Sequence, residues 1–189
     1  AFVDVAVRTF GPQAADDVAG IVESDAEQCG VVARAKRIQV EVQDDPITIE
    51  VRNPGSQTPL YTSTLVPAAD GSFSVSTGLS GTYDIAVKGK THLRKVLPNV
   101  VLEAEGISGL VWTLFNGDVN NDNIIDIADY TYLALAFDAD QSNPAWSVPD
   151  SQGVALQDSD LNGDGIVDIA DYTILATNFD GAANREASG

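Results

Sequence analysis

Two segments of this sequence repeat one set of oxygen-bearing side chains, GDVNNDNIIDIADYTYLALAF from Gly117 and SDLNGDGIVDIADYTILATNF from Ser159. The copies agree at 14 of 21 aligned positions, from Asp118 to Asp138 and from Asp160 to Asp180, so this half is built from a duplicated unit. In the first copy Asp118, Asn120, Asp122, Asp126 and Asp129 fall at loop positions 1, 3, 5, 9 and 12, and Ile124 at position 7 offers its backbone carbonyl. Asp160, Asn162, Asp164, Asp168, Asp171 and Ile166 occupy the same positions in the second. A hard cation wants six to eight oxygens about 2.3–2.6 Å away, and a wrapped loop delivers them from alternate residues. The chemistry predicted is the binding of two calcium ions, one per loop. Position 6 needs a left-handed turn, which Gly165 adopts freely and Asn123 tolerates better than most residues.

Each loop runs into a helical pattern. Tyr130, Leu133 and Phe137, and likewise Tyr172, Leu175 and Phe179, follow three-to-four spacing and are expected to form a core between the repeats. The loop spacing matches an EF-hand, with two departures: position 12 is Asp rather than Glu, and no helix-forming run precedes either loop. A duplicated loop with only an exiting helix resembles a type I dockerin, the module by which secreted bacterial proteins dock onto cohesins in cellulosome-like assemblies. The resemblance covers residues 115 to 182. It implies a cohesin-like protein partner contacted through the two residues after position 9, here Ile127, Ala128 and Ile169, Ala170. It also implies a Lys or Arg farther along the exiting helix, yet no basic residue occurs between Lys95 and Arg185.

The net charge of −18 over 189 residues is unevenly spread. Thirteen aspartates and no basic residue lie between Gly117 and Asn184, whereas Arg34, Lys36 and Arg37, then Lys88, Lys90, Arg94 and Lys95, form two basic stretches. Two calcium ions would offset four negative charges; without them mutual repulsion loosens the acidic half. Phosphate backbones would be repelled by most of this surface, so nucleic acid is not expected as a partner. No apolar run is long enough to span a membrane. The absence of methionine, even at position 1, fits a removed secretory signal, and the single Cys29 precludes an internal disulfide. A secreted or cell-surface setting is expected, with calcium as the staple.

The first hundred residues alternate with period two between turn signals. Strands are expected at Phe2–Arg8, Arg37–Gln43, Ile47–Arg52, Leu60–Val66, Ser72–Ser76, Thr82–Lys88, Leu93–Leu97, Val100–Glu103 and Gly109–Phe115, in an antiparallel sandwich. Asp70 to Gly89, DGSFSVSTGLSGTYDIAVKG, resembles the Ig-like, transthyretin-like module of carboxypeptidase regulatory domains, which implies an accessory sandwich without catalytic residues. Asp16 to Val22 is either a short helix or a loop. The terminal strand, with Phe2, Val3, Val5 and Val7, pairs either with its own sheet, the commoner arrangement, or with that of a neighbouring molecule.

No catalytic constellation emerges. His92 is the only histidine and lies in the basic KGKTHLRK, where a solvated strand residue is expected; no Gly-x-Ser-x-Gly elbow is present. Cys29 reads as a small buried side chain rather than a nucleophile, and Glu50, Glu103 and Glu105, which could in principle form a glycosidase pair, are of too common a type to mark one. Trp112, in LVWTLF, is expected in the core, and Trp146, in NPAWSVPD, as a cap on the helix pair.

The fold expected is therefore a mainly β N-terminal sandwich over 1–114, a small α-helical dockerin-like domain over 115–184, and a tail over 185–189. The function expected is a non-catalytic, secreted assembly module. Two alternatives stand beside it. One is a self-assembling fibre or surface-layer subunit, joined by strand donation or by contact of the acidic half with the basic Lys88, Lys90, Arg94 and Lys95. The other is a carbohydrate-binding accessory piece of a secreted glycoside hydrolase, with polysaccharide as the ligand.

Overall fold

The computed structural model describes residues 46–179, together with the backbone of residues 2–10. Cys29, the stretch Arg34, Lys36, Arg37, the expected strand Arg37–Gln43, the Asp16–Val22 segment and the 185–189 tail lie outside the described residues.

Seven strands, β1 (Phe2–Phe10), β2 (Ile47–Arg52), β3 (Pro59–Leu65), β4 (Ser72–Ser76), β5 (Gly81–Gly89), β6 (Lys95–Leu102) and β7 (Ile107–Phe115), form two sheets in the orders β4-β1-β7 and β3-β2-β5-β6. Alternation places Ile47, Ile49 and Val51 of β2, Phe73 and Val75 of β4, Ile85 and Val87 of β5, and Trp112 and Leu114 of β7 in one buried core with Leu102. Burying each large apolar side chain contributes about 1.5–3 kcal/mol, and this cluster holds the two sheets together. Trp112 lies in it as expected, with its indole N–H donating to the Ile85 carbonyl at 3.4 Å.

Two details differ from the pattern read in the sequence. β1 runs antiparallel to β4 but parallel to β7, so the sandwich is not antiparallel throughout. The expected strands Leu93–Leu97 and Val100–Glu103 are one strand, β6, carried across its interruption by Asn99 in a left-handed conformation (φ 56°), whose N–H donates to Asp84 Oδ1 at 2.8 Å. β1 itself lies between β4 and β7 of its own sheet.

Beyond β7 come α1 (Ile127–Ala136), a 3-10 turn (Leu156–Ser159) and α2 (Ile169–Asn178). The expectation of a separate small α-helical domain is corrected here. The described chain is mostly β, with two ten-residue helices, and their packing is continuous with the strands. Leu133, Ala136, Ile174 and Leu175 share a core with Val119, Ile125, Leu161 and Val167 from the loops, and with Leu93 and Phe115 from the end of the sandwich. Backbone bonds cross the same junction: Leu93 N–H donates to the Phe115 carbonyl at 2.8 Å, and both Gly117 and Asp118 N–H donate to the Thr91 carbonyl at 2.9 Å. Helices this short are marginal alone and gain their stability from such packing.

The expected inter-repeat core is only partly formed by the residues proposed for it. Leu133 and Leu175 are buried, whereas Tyr130, Phe137, Tyr172 and Phe179 stay partly exposed, at 38–45%, the two tyrosines meeting edge to face with ring centroids 5.9 Å apart. Trp146 is half-buried against the second core, as a cap would be.

Candidate metal site at the paired loops

Each helix begins in the same way. Asp126 and Asp168 cap α1 and α2, accepting from Ala128 and Ala170 N–H at 2.7 Å, and Asp129 and Asp171 return a carboxylate oxygen to the Asp126 and Asp168 N–H groups. This reciprocal capping box satisfies donors that a helix start leaves orphaned. It also turns position 12 back over the loop: the remaining oxygens of Asp129 and Asp171 accept from Asn120 and Asn162 N–H at 3.1 and 3.0 Å.

The loop interiors repeat equally closely. Asn120 and Asn162 accept from Asp122 and Asp164 N–H, and Asp122 and Asp164 accept from Ile124 and Ile166 N–H, all at 2.8–3.0 Å. Position 1 bonds to the amide at position 6 in both, Asn123 N–H to Asp118 Oδ2 at 3.0 Å and Gly165 N–H to Asp160 Oδ2 at 2.9 Å. The left-handed turn expected at position 6 is present, with φ 71° at Asn123 and 90° at Gly165. Aspartates that alternate along each sequence are thus gathered around each loop by its own amides.

Among the described residues, no three His, Cys, Asp or Glu side chains converge as a ready-made metal cluster. The loops offer a mixed set instead, in which carboxylates combine with Asn120 or Asn162 and with main-chain carbonyls. Two observations favour a cation with this set. Asp118, Asp129 and Asp171 are fully buried, and Asp118 Oδ1 has no hydrogen-bond partner. Burial also raises the carboxyls of Asp118, Asp160 and Asp171 above the usual range, and that of Asp129 to about 6. Desolvated carboxylates with an orphan oxygen are costly without a positive charge beside them. The residues fit calcium.

The sequence did not foretell where the basic residues go. Lys88, expected on an outward basic patch, lies across the junction with its ammonium 2.5 Å from Asp118 Oδ2 and 2.6 Å from the His92 carbonyl oxygen. Burial lowers the Lys88 ammonium and raises the Asp118 carboxyl against their mutual attraction. Lys90 pairs with Asp158, just ahead of the second loop. The Arg94 N–H donates to Asn123 Oδ1 at 2.5 Å, and Lys95 opens β6. No local motif could reveal a pairing that spans 30 residues.

His92 is not a solvated strand residue. Its ring packs where a Cβ on Gly89 would stand, and desolvation, then the Lys88 charge, lowers it to about 4. Of the residues after position 9, Ile127 and Ile169 are each 64% exposed, whereas Ala128 and Ala170 are half-buried.

No protein-family model and no curated protein matches the chain. Solved structures do, among them two of the type II Cohesin-X-Dockerin complex from Acetivibrio cellulolyticus. One is an N-terminal interface mutant, 16% identical with a TM-score of 0.61, and the other a C-terminal interface mutant, 18% identical with a TM-score of 0.59. Each match covers 97% of this chain and 98% of the other, so the likeness is one of fold. It overturns the resemblances drawn from the sequence. The neighbours belong to a type II complex and match the mostly β chain along its whole length, rather than joining a type I dockerin to a carboxypeptidase regulatory-like module.

Proposed function

We propose that this chain is a non-catalytic attachment module of an extracellular multi-protein assembly, with two calcium ions ordering its loop–helix half. The observation that carries this reading is the likeness, over 97% of the chain, to a component of an assembled cohesin–X-dockerin complex. The duplicated loops support the calcium part, because buried carboxylates are built around both by the same amide bonds. Exposed Ile127 and Ile169, one at the start of each helix, supply paired apolar contacts for a protein partner.

Self-association through the basic stretch is the weaker reading. Lys88 and Lys90 are engaged with Asp118 and Asp158 of the same chain, so a neighbour's acidic half would have to break those pairs. For strand donation, β1 would have to leave its place between β4 and β7.

Calorimetry of the chain against purified cohesin, X-dockerin and polysaccharide, with calcium and then with chelator, tests the proposal. Saturable, calcium-dependent binding to one protein component is expected. Binding to polysaccharide alone, or to neither protein, would overturn it.

A further inference from the structure

The two loops differ in one respect that their sequences conceal. Asp160, position 1 of the second loop, has backbone amides on both oxygens, Gly163 N–H on Oδ1 at 2.8 Å and Gly165 N–H on Oδ2 at 2.9 Å, and the charges acting on it include that of Asp164. Asp118, position 1 of the first, already faces a cation. The Lys88 ammonium sits 2.5 Å from Oδ2, with Asn123 N–H on the same oxygen, while Oδ1 is buried without a partner. Lys88 is held there by a second bond, to the His92 carbonyl, and its side chain is only 12% exposed. The first loop is further tied to the sandwich by Arg94 N–H on Asn123 Oδ1, at the position where the second loop has Gly165.

We infer that Lys88 is a resident counter-cation of the first loop, which makes the two calcium sites unequal. This rests on the calcium reading above. The second loop fills first. The first fills at higher calcium, because an incoming ion meets a like charge at its position-1 ligand and must share Asp118 with Lys88 or displace it. Since Lys88 lies on β5, occupancy of the first loop is coupled to the contact between the loops and the sandwich. The second loop is then a constitutive staple and the first a sensor of calcium level.

Calorimetric titration of the whole chain with calcium chloride tests this, using the wild type, Lys88→Gln, Lys88→Arg, Asp118→Asn and Asp160→Asn. The wild type should bind two ions in two steps of unequal affinity. Asp160→Asn should remove the tight step and Asp118→Asn the weak one. Lys88→Gln should tighten the weak step by about tenfold or more while leaving the tight step in place, whereas Lys88→Arg, which keeps the charge, should retain the inequality. Circular dichroism in calcium checks that each variant is folded, and Lys88→Arg keeps the test decisive if Lys88→Gln is not. Two equal steps in the wild type would overturn the inference and leave the calcium reading standing, as would a weak step unmoved or weakened in Lys88→Gln or equalised in Lys88→Arg. No calcium uptake by any variant would overturn both.

Discussion

The sandwich and the loop–helix half solve the same problem with opposite materials. In the sandwich, alternating Ile, Val, Phe and Trp side chains leave water together, and the buried cluster that includes Ile49 and Trp112 is made of apolar side chains alone. In the loop–helix half the residues driven to zero exposure include Asp118, Asp129 and Asp171. Backbone amides and Lys88 offset only part of the cost of burying those charges. A core of apolar groups is self-sufficient, whereas a core of carboxylates is a structure waiting for a counter-ion. The difference predicts that the two halves respond to different perturbations although they share one junction.

The largest effect should come from the sandwich core. Trp112→Ala removes a side chain with no exposed surface and should cost about 3–5 kcal/mol, with a loss that added calcium does not recover. Chemical denaturation in calcium and in chelator measures both parts.

Calcium removal should act on the other half. A site half-saturated at one-hundredth of the free calcium contributes about 2.7 kcal/mol, and 1 kcal/mol moves the midpoint of a chain this size by about 2–4 °C. Chelation should therefore lower the melting midpoint by roughly 5–10 °C per site, as read by calorimetric scans. Asp118→Asn and Asp160→Asn should each abolish only their own loop's share.

Acidity should sharpen the contrast. Burial raises Asp129 to about 6, so its proton is held more tightly in the folded chain. The stability contributed by that raised value is full below the unfolded value and lost as pH rises through about 6. His92 runs the other way: lowered to about 4, it contributes stability in full above its unfolded value, and that stability is lost as pH falls from there through about 4. The His92 loss falls on the calcium-loaded and the chelated chain alike, whereas protons and metal compete for the same loop oxygens. The gap between the melting midpoints in calcium and in chelator should therefore shrink as pH falls from about 7.5 to about 5.5. A gap that stays constant or widens over that range would contradict this reading.

Smaller effects belong to the surface. Lys90 is 42% exposed at its ion pair with Asp158, so Lys90→Ala should cost no more than about 1 kcal/mol, less at high salt. Ile127→Ser combined with Ile169→Ser removes two residues each 64% exposed. The melting midpoint should barely move, while affinity for the protein partner falls by about tenfold or more in a binding titration.

Local patterning made much of this molecule legible, and long-range pairing made the rest opaque. Period-two alternation located β2, β4 and β7 because one face of each strand is buried, and the Asp–Asn spacing located both loops because the bonds within each loop are short in sequence. Three features were hidden. β6 is continuous only because Asn99 takes a left-handed turn stabilised by Asp84, 15 residues away. The groups that join the sandwich to the loop–helix half were not legible either, since Leu93, Phe115 and the Thr91 carbonyl carry packing and bonding across the junction after residue 114. Lys88 read as part of a solvated face because nothing local marks Asp118 as its partner. Helical spacing misplaced Tyr130, Tyr172, Phe137 and Phe179 because the narrow inter-repeat core is already filled by Leu133 and Leu175.

Amide hydrogen exchange in calcium and in chelator tests the contrast between the two halves most directly. Removal of calcium should cut protection at Asn123, Asp126, Gly165 and Asp168, whose N–H groups are held by loop carboxylates, by about tenfold or more. Amides of β2 and β5, around Ile49 and Val87, should keep theirs. Loop protection that survives the chelator, or protection lost equally in both halves, would contradict the account.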